Sequence, residues 1–247
     1  MFFDWSINWQ LSFNVDKCKL IHFGYNNDEL SYSMDGKEIA TCDNEKDLGV
    51  LIHQSLKPEM HLATKVKKAN KFLGMINRSF QFKSKKMMVQ LYKTMVRPHL
   101  DYASSAWSPH LKKDIELIEK VQRRFTRMIP NLTELPYEDR LKALHLTTLE
   151  TRRTRADILE VFKIFKGLTK VDANTLFKFN VTSTRGHRHK LFKQYSRLDI
   201  RKHFFTQRVV DIWNSLPDGA LESSSINIFK GHLDRHLKTY QGTPTNP

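Results

Sequence analysis

The sequence predicts an α+β fold that is mostly α, with a small β part at the N-terminus followed by helices. Asp35-Gly36 is a strong hairpin signal, because a type I′ turn requires a positive φ at both central residues. From residue 61 onward, apolar residues recur at helical spacing. The charge changes at the same place, since residues 1–60 carry a net charge of −5 and residues 61–247 a net charge of +20. The two parts of the chain therefore differ in both predicted structure and charge.

Length and composition exclude several classes of protein. The 247 residues can bury a substantial core. Two cysteines, Cys18 and Cys42, are too few for a disulfide scaffold or a cysteine-based zinc site. No apolar run approaches the ~18 residues of a transmembrane helix, and the first residues do not resemble a signal peptide. We expect no membrane partner and an intracellular location, in the nucleus or the cytoplasm.

The first sixty residues are predicted to be mainly extended. Residues 4–11 are typical of a helix end, with Asp4 as N-cap and with Trp5 and Trp9 on one core-facing side. Short strands are predicted at 19–23, 29–34, 37–41 and 47–52.

Helices are predicted over most of the remaining chain, and residues 168–200 are the least regular part. The predicted helices span about 62–76, 85–96, 111–129, 137–145, 149–166, 200–215 and 226–239. Ser84, Thr147 or Thr148, and Ser225 are candidate N-caps. Pro98 is expected to end or kink the second helix, and the tail 242–247 is expected to be disordered.

Two of these helices are predicted to carry basic faces opposite their apolar faces. The candidate nucleic-acid-binding residues are Lys67, Lys71 and Arg78 in the first helix, and Lys120, Arg123, Arg124 and Arg127 in the third. A positive region of this size favours a polyanionic partner, most often nucleic acid. The alternative is a solvated basic surface without a specific partner.

Motifs for catalysis are largely absent from the sequence. It contains no Gly-rich phosphate loop, no His-Glu-x-x-His, no Cys-x-x-Cys and no Gly-x-Ser-x-Gly. It also contains no Asp-Asp pair, although metal-assisted phosphoryl transfer needs clustered carboxylates. His187 and His189 lie close together without an evident third ligand, so no metal site is predicted.

The chain contains an ordered series of short segments that begins with Trp5-x-x-x-Trp-Gln-Leu-Ser-Phe-Asn-x-x-Lys-Cys-Lys-x-x-x-Phe-Gly24. This series resembles the C-terminal part of LINE-type (non-LTR, jockey-like) retrotransposon reverse transcriptases. Residues 5–24 are similar to the segment just after the catalytic motif of that family, and the series covers nearly the whole chain. The later matching segments include Lys46-Asp-Leu-Gly-Val50, Val96-Arg-Pro-His-Leu-Asp-Tyr-Ala103, Glu119-Lys-Val-Gln-Arg-Arg-Phe-Thr-Arg127, Arg185-Gly186 and Phe204-Phe-x-x-Arg-Val-Val-x-x-Trp-Asn-x-Leu-Pro217.

The resemblance implies an RNA-directed DNA polymerase fold of which this chain is a C-terminal fragment. It implies a palm remnant at 1–60, a thumb-like helical domain at 61–132 and a helical extension at 133–241. The family's catalytic aspartates, which bind Mg²⁺, would lie upstream of Met1. We therefore expect no polymerase activity and no cofactor for this fragment alone. Asp101 lies in the thumb-like region, in Leu-Asp-Tyr-Ala, and is rejected as a catalytic residue.

The resemblance also assigns roles to single residues. Lys17 matches a palm lysine implicated near the incoming triphosphate, and Leu48 and Gly49 match the primer-grip hairpin. An ordinary surface lysine and an ordinary hairpin are the alternatives. The implied partner is an RNA or RNA–DNA template–primer, held by its backbone, together with the rest of the polymerase. A repurposed binding protein and a non-functional remnant of a truncated element remain alternatives.

Overall fold

The chain divides into two compact units, residues 1–61 and 62–247. The computed structural model describes residues 5–240 apart from 7, 25, 181–186 and 188. Three predicted features lie wholly or partly outside these residues: the Asp4 cap, the Arg185-Gly186 match and the C-terminal tail. The elements of each unit are described separately below.

The N-terminal unit contains two antiparallel hairpins. β1 (Ser33–Met34) pairs with β2 (Lys37–Glu38), and β3 (Asn44–Asp47) pairs with β4 (Val50–His53). The hairpin predicted at Asp35-Gly36 is confirmed, with φ values of 53° and 71° at the two turn residues. Its strands are shorter than predicted, with two residues each.

Two strand predictions in this unit are wrong. Residues 47–52 do not form one strand, because Leu48 and Gly49 adopt φ values of 43° and 87° and form the turn between β3 and β4. Residues 19–23 make only one isolated bridge, between Leu20 and Thr41. In the structure the turn of this segment is a 3₁₀ helix at Val15–Lys17.

The paired tryptophans at the start of the N-terminal unit contact each other but do not lie in a core. The ring centroids of Trp5 and Trp9 are 6.4 Å apart, and the residues are 48% and 67% exposed. The prediction of a core-facing side is therefore wrong. Ser6 and His61 are the buried residues among those that the structure describes in this unit, so it offers little interior against which the rings can pack.

The C-terminal unit is helical. Its helices are α1 (Glu59–Ser79, which begins in the preceding unit), α2 (Lys85–Leu91), α3 (Pro98–Asp101), α4 (Ser104–Trp107), α5 (Lys112–Arg127), α6 (Tyr137–Leu144), α7 (Leu149–Phe165), α8 (Ala173–Leu176), α9 (Asp199–Lys202), α10 (Phe205–Arg208), α11 (Val210–Asn214), α12 (Asp218–Leu221) and α13 (Ile226–Tyr240). A π-helical turn at Tyr92–Val96 lies between α2 and α3. The mostly helical α+β fold class is thus observed, and no described helix is long and apolar enough to cross a membrane.

The predicted caps and helix ends are largely confirmed. The hydroxyls of Ser84, Thr148 and Ser225 accept backbone N–H groups at 3.4, 3.1 and 3.3 Å. Gly167 follows α7 with a φ of 65°. Pro98 begins α3 just after the π-helical turn, as expected of a residue that cannot continue the hydrogen-bond ladder of a helix.

The prediction of a single helix at 200–215 is wrong, because the structure has three short helices there, α9, α10 and α11. Phe204 is extended, with φ −65° and ψ 150°, and is the N-cap residue of α10. The guanidinium of Arg208 donates to the freed carbonyl of His203 at 3.2 Å. A side chain therefore satisfies a backbone group that an unbroken helix would have used.

Helix α7 packs against four other helices of the C-terminal unit. It contacts α3, α4, α5 and α13, and its second half enters a core that includes Trp213, Phe229 and Leu233. The rings of Phe162 and Phe229 stack at 3.9 Å. Helix α7 packs against helices on both sides of residue 132, and residues 62–247 form one compact unit. The division at residue 132 into a thumb-like domain and an extension stays a prediction.

A buried polar network fixes α5 against α6 and the start of α7. The Gln122 amide oxygen accepts from the Tyr92 hydroxyl at 2.7 Å, while its nitrogen donates to the Tyr137 hydroxyl at 3.0 Å and the Thr147 carbonyl at 2.9 Å. Glu119 accepts from the Tyr137 hydroxyl and from the Leu149 N–H at 3.0 Å. Gln122 is fully buried, so the rotation of α5 about its axis is set by these bonds.

We predict that Gln122→Ala lowers the free energy of unfolding by about 3 kcal/mol, because it leaves several buried donors and acceptors without partners. Urea unfolding of the variant measures this loss. Gln90→Ala, at an exposed position of α2, is the matched control and is expected to change stability by less than about 0.5 kcal/mol. Equal effects of the two substitutions would contradict the role of the network.

Candidate nucleic-acid interface

The seven basic residues predicted to bind nucleic acid are all exposed in the structure. Lys67, Lys71 and Arg78 lie on α1, and the other four lie on α5. Within the part of the chain that the structure describes, none of the seven takes part in an ion pair. Their charges are therefore available to a ligand.

The apolar faces opposite these cations are buried as the helical spacing predicts. Leu62, Ala69, Leu73 and Ile76 of α1 are at most 2% exposed. On α5, Ile118, Val121 and Phe125 are each 1% exposed. One residue departs from the pattern, because Leu111 precedes α5 and is 42% exposed.

A side-chain hydrogen bond joins the basic faces of α1 and α5. Arg124 of α5 donates to the Asn70 side-chain oxygen of α1 at 3.1 Å. Asn70 immediately precedes Lys71 and lies three residues after Lys67, which is a neighbouring position on a helix surface. This bond links the two helices at their basic faces, and we call the seven residues above together the α1–α5 surface.

A cluster of three arginines lies at the α5 side of this surface. The guanidinium of Arg123 lies over the Tyr137 ring at 4.8 Å, and that of Arg140 over the same ring at 5.5 Å. Burial, followed by the positive charges of Arg127 and Arg123, lowers the pKa of Arg140. These cations repel one another, so an anion such as a phosphate would be stabilised beside them.

A second positive region lies beside α1, where His99 stacks on Phe72. Their ring centroids are 4.9 Å apart. Burial, followed by the charges of Lys68 and Lys65, lowers the pKa of His99. Lys65 also lies over the Tyr102 ring at 5.7 Å.

Two acidic residues of the neighbouring helices are paired with arginines. Asp101 accepts from the Arg152 guanidinium at 2.8 and 3.1 Å, which ties α3 to α7. Asp157 accepts from Arg208 at 2.9 and 3.1 Å; burial raises its pKa, and the arginine opposes that shift. These contacts hold helices together and use negative charge that does not reach the α1–α5 surface. Glu116 is the exposed carboxylate of α5.

The residues singled out by the family resemblance lie in the N-terminal unit. Lys17 is the exposed last residue of the 3₁₀ helix. Leu48 is 84% exposed and forms, with Gly49, the tip of the hairpin of β3 and β4. A hairpin therefore occurs where the primer-grip assignment requires one, and its role stays a prediction.

A further basic segment was not identified by any sequence motif. Residues 60–100 contain ten lysines and arginines and no aspartate or glutamate. Lys85 and Lys86, at the start of α2, are exposed and form no ion pair among the described residues. The signal that could have found them is the length of chain without a carboxylate, since this leaves local positive charge uncompensated.

The two neighbouring histidines, His187 and His189, lie beside Trp213. His187 is buried, and its Nε2 hydrogen-bonds with the Trp213 carbonyl at 2.9 Å. The His189 carbonyl accepts from the Trp213 indole at 2.9 Å. Among the residues described, no group of three or more His, Cys, Asp or Glu side chains is placed to hold a metal ion. Both histidines contribute to packing around Trp213.

Comparisons with known proteins add no family assignment. No protein-family model, curated protein or solved structure matches the chain significantly.

We predict that the free energy of unfolding falls as the pH drops below about 6.5, the ordinary pKa of histidine. In this range the unfolded chain binds a proton at His99, whereas the lowered pKa keeps the folded residue neutral to a lower pH. His203 and His236, whose pKa values are also lowered, contribute in the same direction. Urea unfolding measured between about pH 7.5 and pH 5, the range in which histidines titrate, gives this slope.

His99→Gln is expected to flatten part of this slope, because the substituted residue does not titrate. Lys68→Gln is expected to flatten it less, since it removes one of the charges that lower the pKa of His99. Lys238→Gln, which lies on α13, is the control for loss of one positive charge. An unchanged slope in His99→Gln would show that this histidine does not titrate differently in the two states.

Proposed function

We propose that the chain binds nucleic acid through the α1–α5 surface and that its ligand is an RNA–DNA or RNA duplex. The single observation that carries this proposal is the set of seven exposed, unpaired cations on two helices joined by Arg124 and Asn70. The acidic residue of α1, Glu59, lies in its first turn. Asp114 and Glu119 of α5 are buried, whereas Glu116 is exposed and lies four residues before Lys120 on the same helix. The seven cations outnumber this carboxylate, so the surface stays positive.

The chemistry of the surface favours contacts with the phosphate backbone. Lysine and arginine side chains on a helix face neutralise phosphates, and such contacts position a protein without reading sequence. Lys67 and Arg78 are eleven residues apart on α1, which corresponds to roughly 16 Å along a helix. That length matches about five nucleotide steps along one strand of a duplex. We infer binding that depends weakly on sequence and strongly on salt.

We further propose that the chain corresponds to the C-terminal part of a LINE-type reverse transcriptase. In this assignment the hairpin of β3 and β4 is the primer grip, α1 to α5 belong to the thumb, and residues 133–241 form its extension. The turn at Leu48-Gly49 supports the first assignment, and the basic surface supports the second. The aspartates that bind Mg²⁺ belong to the polymerase portion before this chain, which is a partner in the complete enzyme. We propose that the 247 residues alone do not extend a primer.

The salt dependence of binding tests the proposed interface. Fluorescence anisotropy with a labelled blunt RNA–DNA hybrid measures the slope of log K against log salt for the wild type and for Arg123→Ala/Arg124→Ala/Arg127→Ala. Each lost phosphate contact reduces the magnitude of the slope by about 0.9. We therefore expect the slope of the triple variant to be smaller in magnitude by roughly 2 to 3 units.

The matched control is Lys170→Ala/Lys178→Ala/Lys238→Ala, which removes the same charge at exposed positions outside α1 and α5. It is expected to keep the wild-type slope. Equal slopes for the two triple variants would show that net charge alone drives binding. If the wild type binds no hybrid at low salt, the proposed function is wrong.

A further inference from the structure

The loop between α1 and α2 exposes an aromatic side chain in a strongly basic setting. Phe82 lies in the middle of this loop, residues 80–84, and is 89% exposed. Arg78 precedes the loop, and Lys85 and Lys86 follow it, all three exposed and without ion pairs among the described residues. Exposure of a phenylalanine is unfavourable in water, so a ligand that covers the ring would be stabilised.

Hydrogen bonds hold the loop at both ends and at its middle. The Phe80 N–H donates to the Ile76 carbonyl at 3.3 Å, and the Ser84 hydroxyl caps α2 through the Met87 N–H at 3.4 Å. Lys83 Nζ donates to the Asn77 side-chain oxygen at 2.6 Å, which ties the loop back to α1. The Phe82 ring is therefore presented from an anchored loop.

The positive charge around Phe82 favours an anionic ligand. Residues 60–100 contain no carboxylate, so an anionic ligand meets no repulsive side chain from this segment. A nucleotide combines a phosphate for the cations with a flat ring for the aromatic side chain, and bases stack on aromatic side chains irrespective of sequence. A duplex keeps its bases stacked on each other. A free base face is available only at a terminal or unpaired nucleotide.

We propose that Phe82 stacks on an unpaired base next to the duplex held by the α1–α5 surface. The chain would then recognise the junction between a duplex and a single-stranded extension. This inference rests on the proposed function, because the duplex contacts bring the extension to the loop. Arg78 lies at the loop end of α1 and belongs to the α1–α5 surface, which places the cations and the ring in succession along the chain.

The test compares a blunt RNA–DNA hybrid, the same hybrid with a six-nucleotide single-stranded overhang, and that overhang built from abasic nucleotides. The abasic overhang keeps the phosphates and removes the rings. For the full wild-type chain we expect the overhang to strengthen binding by about 10-fold over the blunt hybrid, from the energy of stacking one base. The abasic overhang is expected to lose this advantage.

Phe82→Ala is expected to abolish the advantage of the overhang while leaving the blunt-hybrid affinity and its salt slope unchanged. Tyr195→Ala is the matched control, because Tyr195 is 94% exposed and lies outside this loop. Phe82→Trp supplies a direct readout, since its added fluorescence is expected to be quenched by the normal overhang and not by the abasic one. Circular dichroism checks that each variant is folded.

Different results would overturn duplex binding by the α1–α5 surface and base stacking by Phe82. Absence of blunt-hybrid binding overturns the proposed function, whereas an equal effect of Phe82→Ala on blunt and overhang substrates overturns the stacking proposal alone. Vesicles of phosphatidylserine test the competing ligand. If Phe82 is required for vesicle binding and not for the overhang, the loop binds a membrane surface and the stacking proposal is wrong.

Discussion

The hydrogen bonds of Gln122 and Glu119 decide which side of α5 faces water. Both residues are buried and contact Tyr92, Tyr137 and the start of α7, so α5 cannot rotate without leaving polar groups unpaired. A buried polar group without a partner costs about 1 to 3 kcal/mol. The outer face that results carries Lys120, Arg123, Arg124 and Arg127. The buried hydrogen bonds therefore determine that these four cations are exposed to solvent.

Two acidic residues of the C-terminal unit likewise take part in contacts between helices. Asp101 and Asp157 are paired with arginines between helices, where they connect elements distant in sequence. Their negative charge therefore neutralises cations of the interior and not those of the α1–α5 surface. Uncompensated surface cations repel one another and oppose compact folding. A polyanion that binds there removes this repulsion, which links the electrostatics of the fold to the proposed ligand.

Periodicity predicted the helices of this chain better than its strands. The spacing of Leu62, Ala69 and Leu73 indicated the buried face of α1 because each residue contributes to one apolar stripe. The strand predicted at 47–52 failed because the apolar pattern does not show that Leu48 and Gly49 take positive φ. The break at Phe204 depends on Arg208, which pairs with Asp157, a residue 51 positions away. The helix face on which each cation lies could be predicted from the sequence. The hydrogen bond between Asn70 and Arg124 could not, because it depends on how α1 and α5 are placed in the fold.

Lysine footprinting of the full chain tests whether the α1–α5 surface is the nucleic-acid interface. Acetylation followed by mass spectrometry compares the reactivity of each lysine with and without a blunt RNA–DNA hybrid at low salt. We expect the hybrid to protect Lys67, Lys71 and Lys120 and to leave the exposed Lys170 and Lys178 reactive. Protection of all five to the same extent, or protection of Lys170 and Lys178 alone, would show that the α1–α5 surface is not the interface.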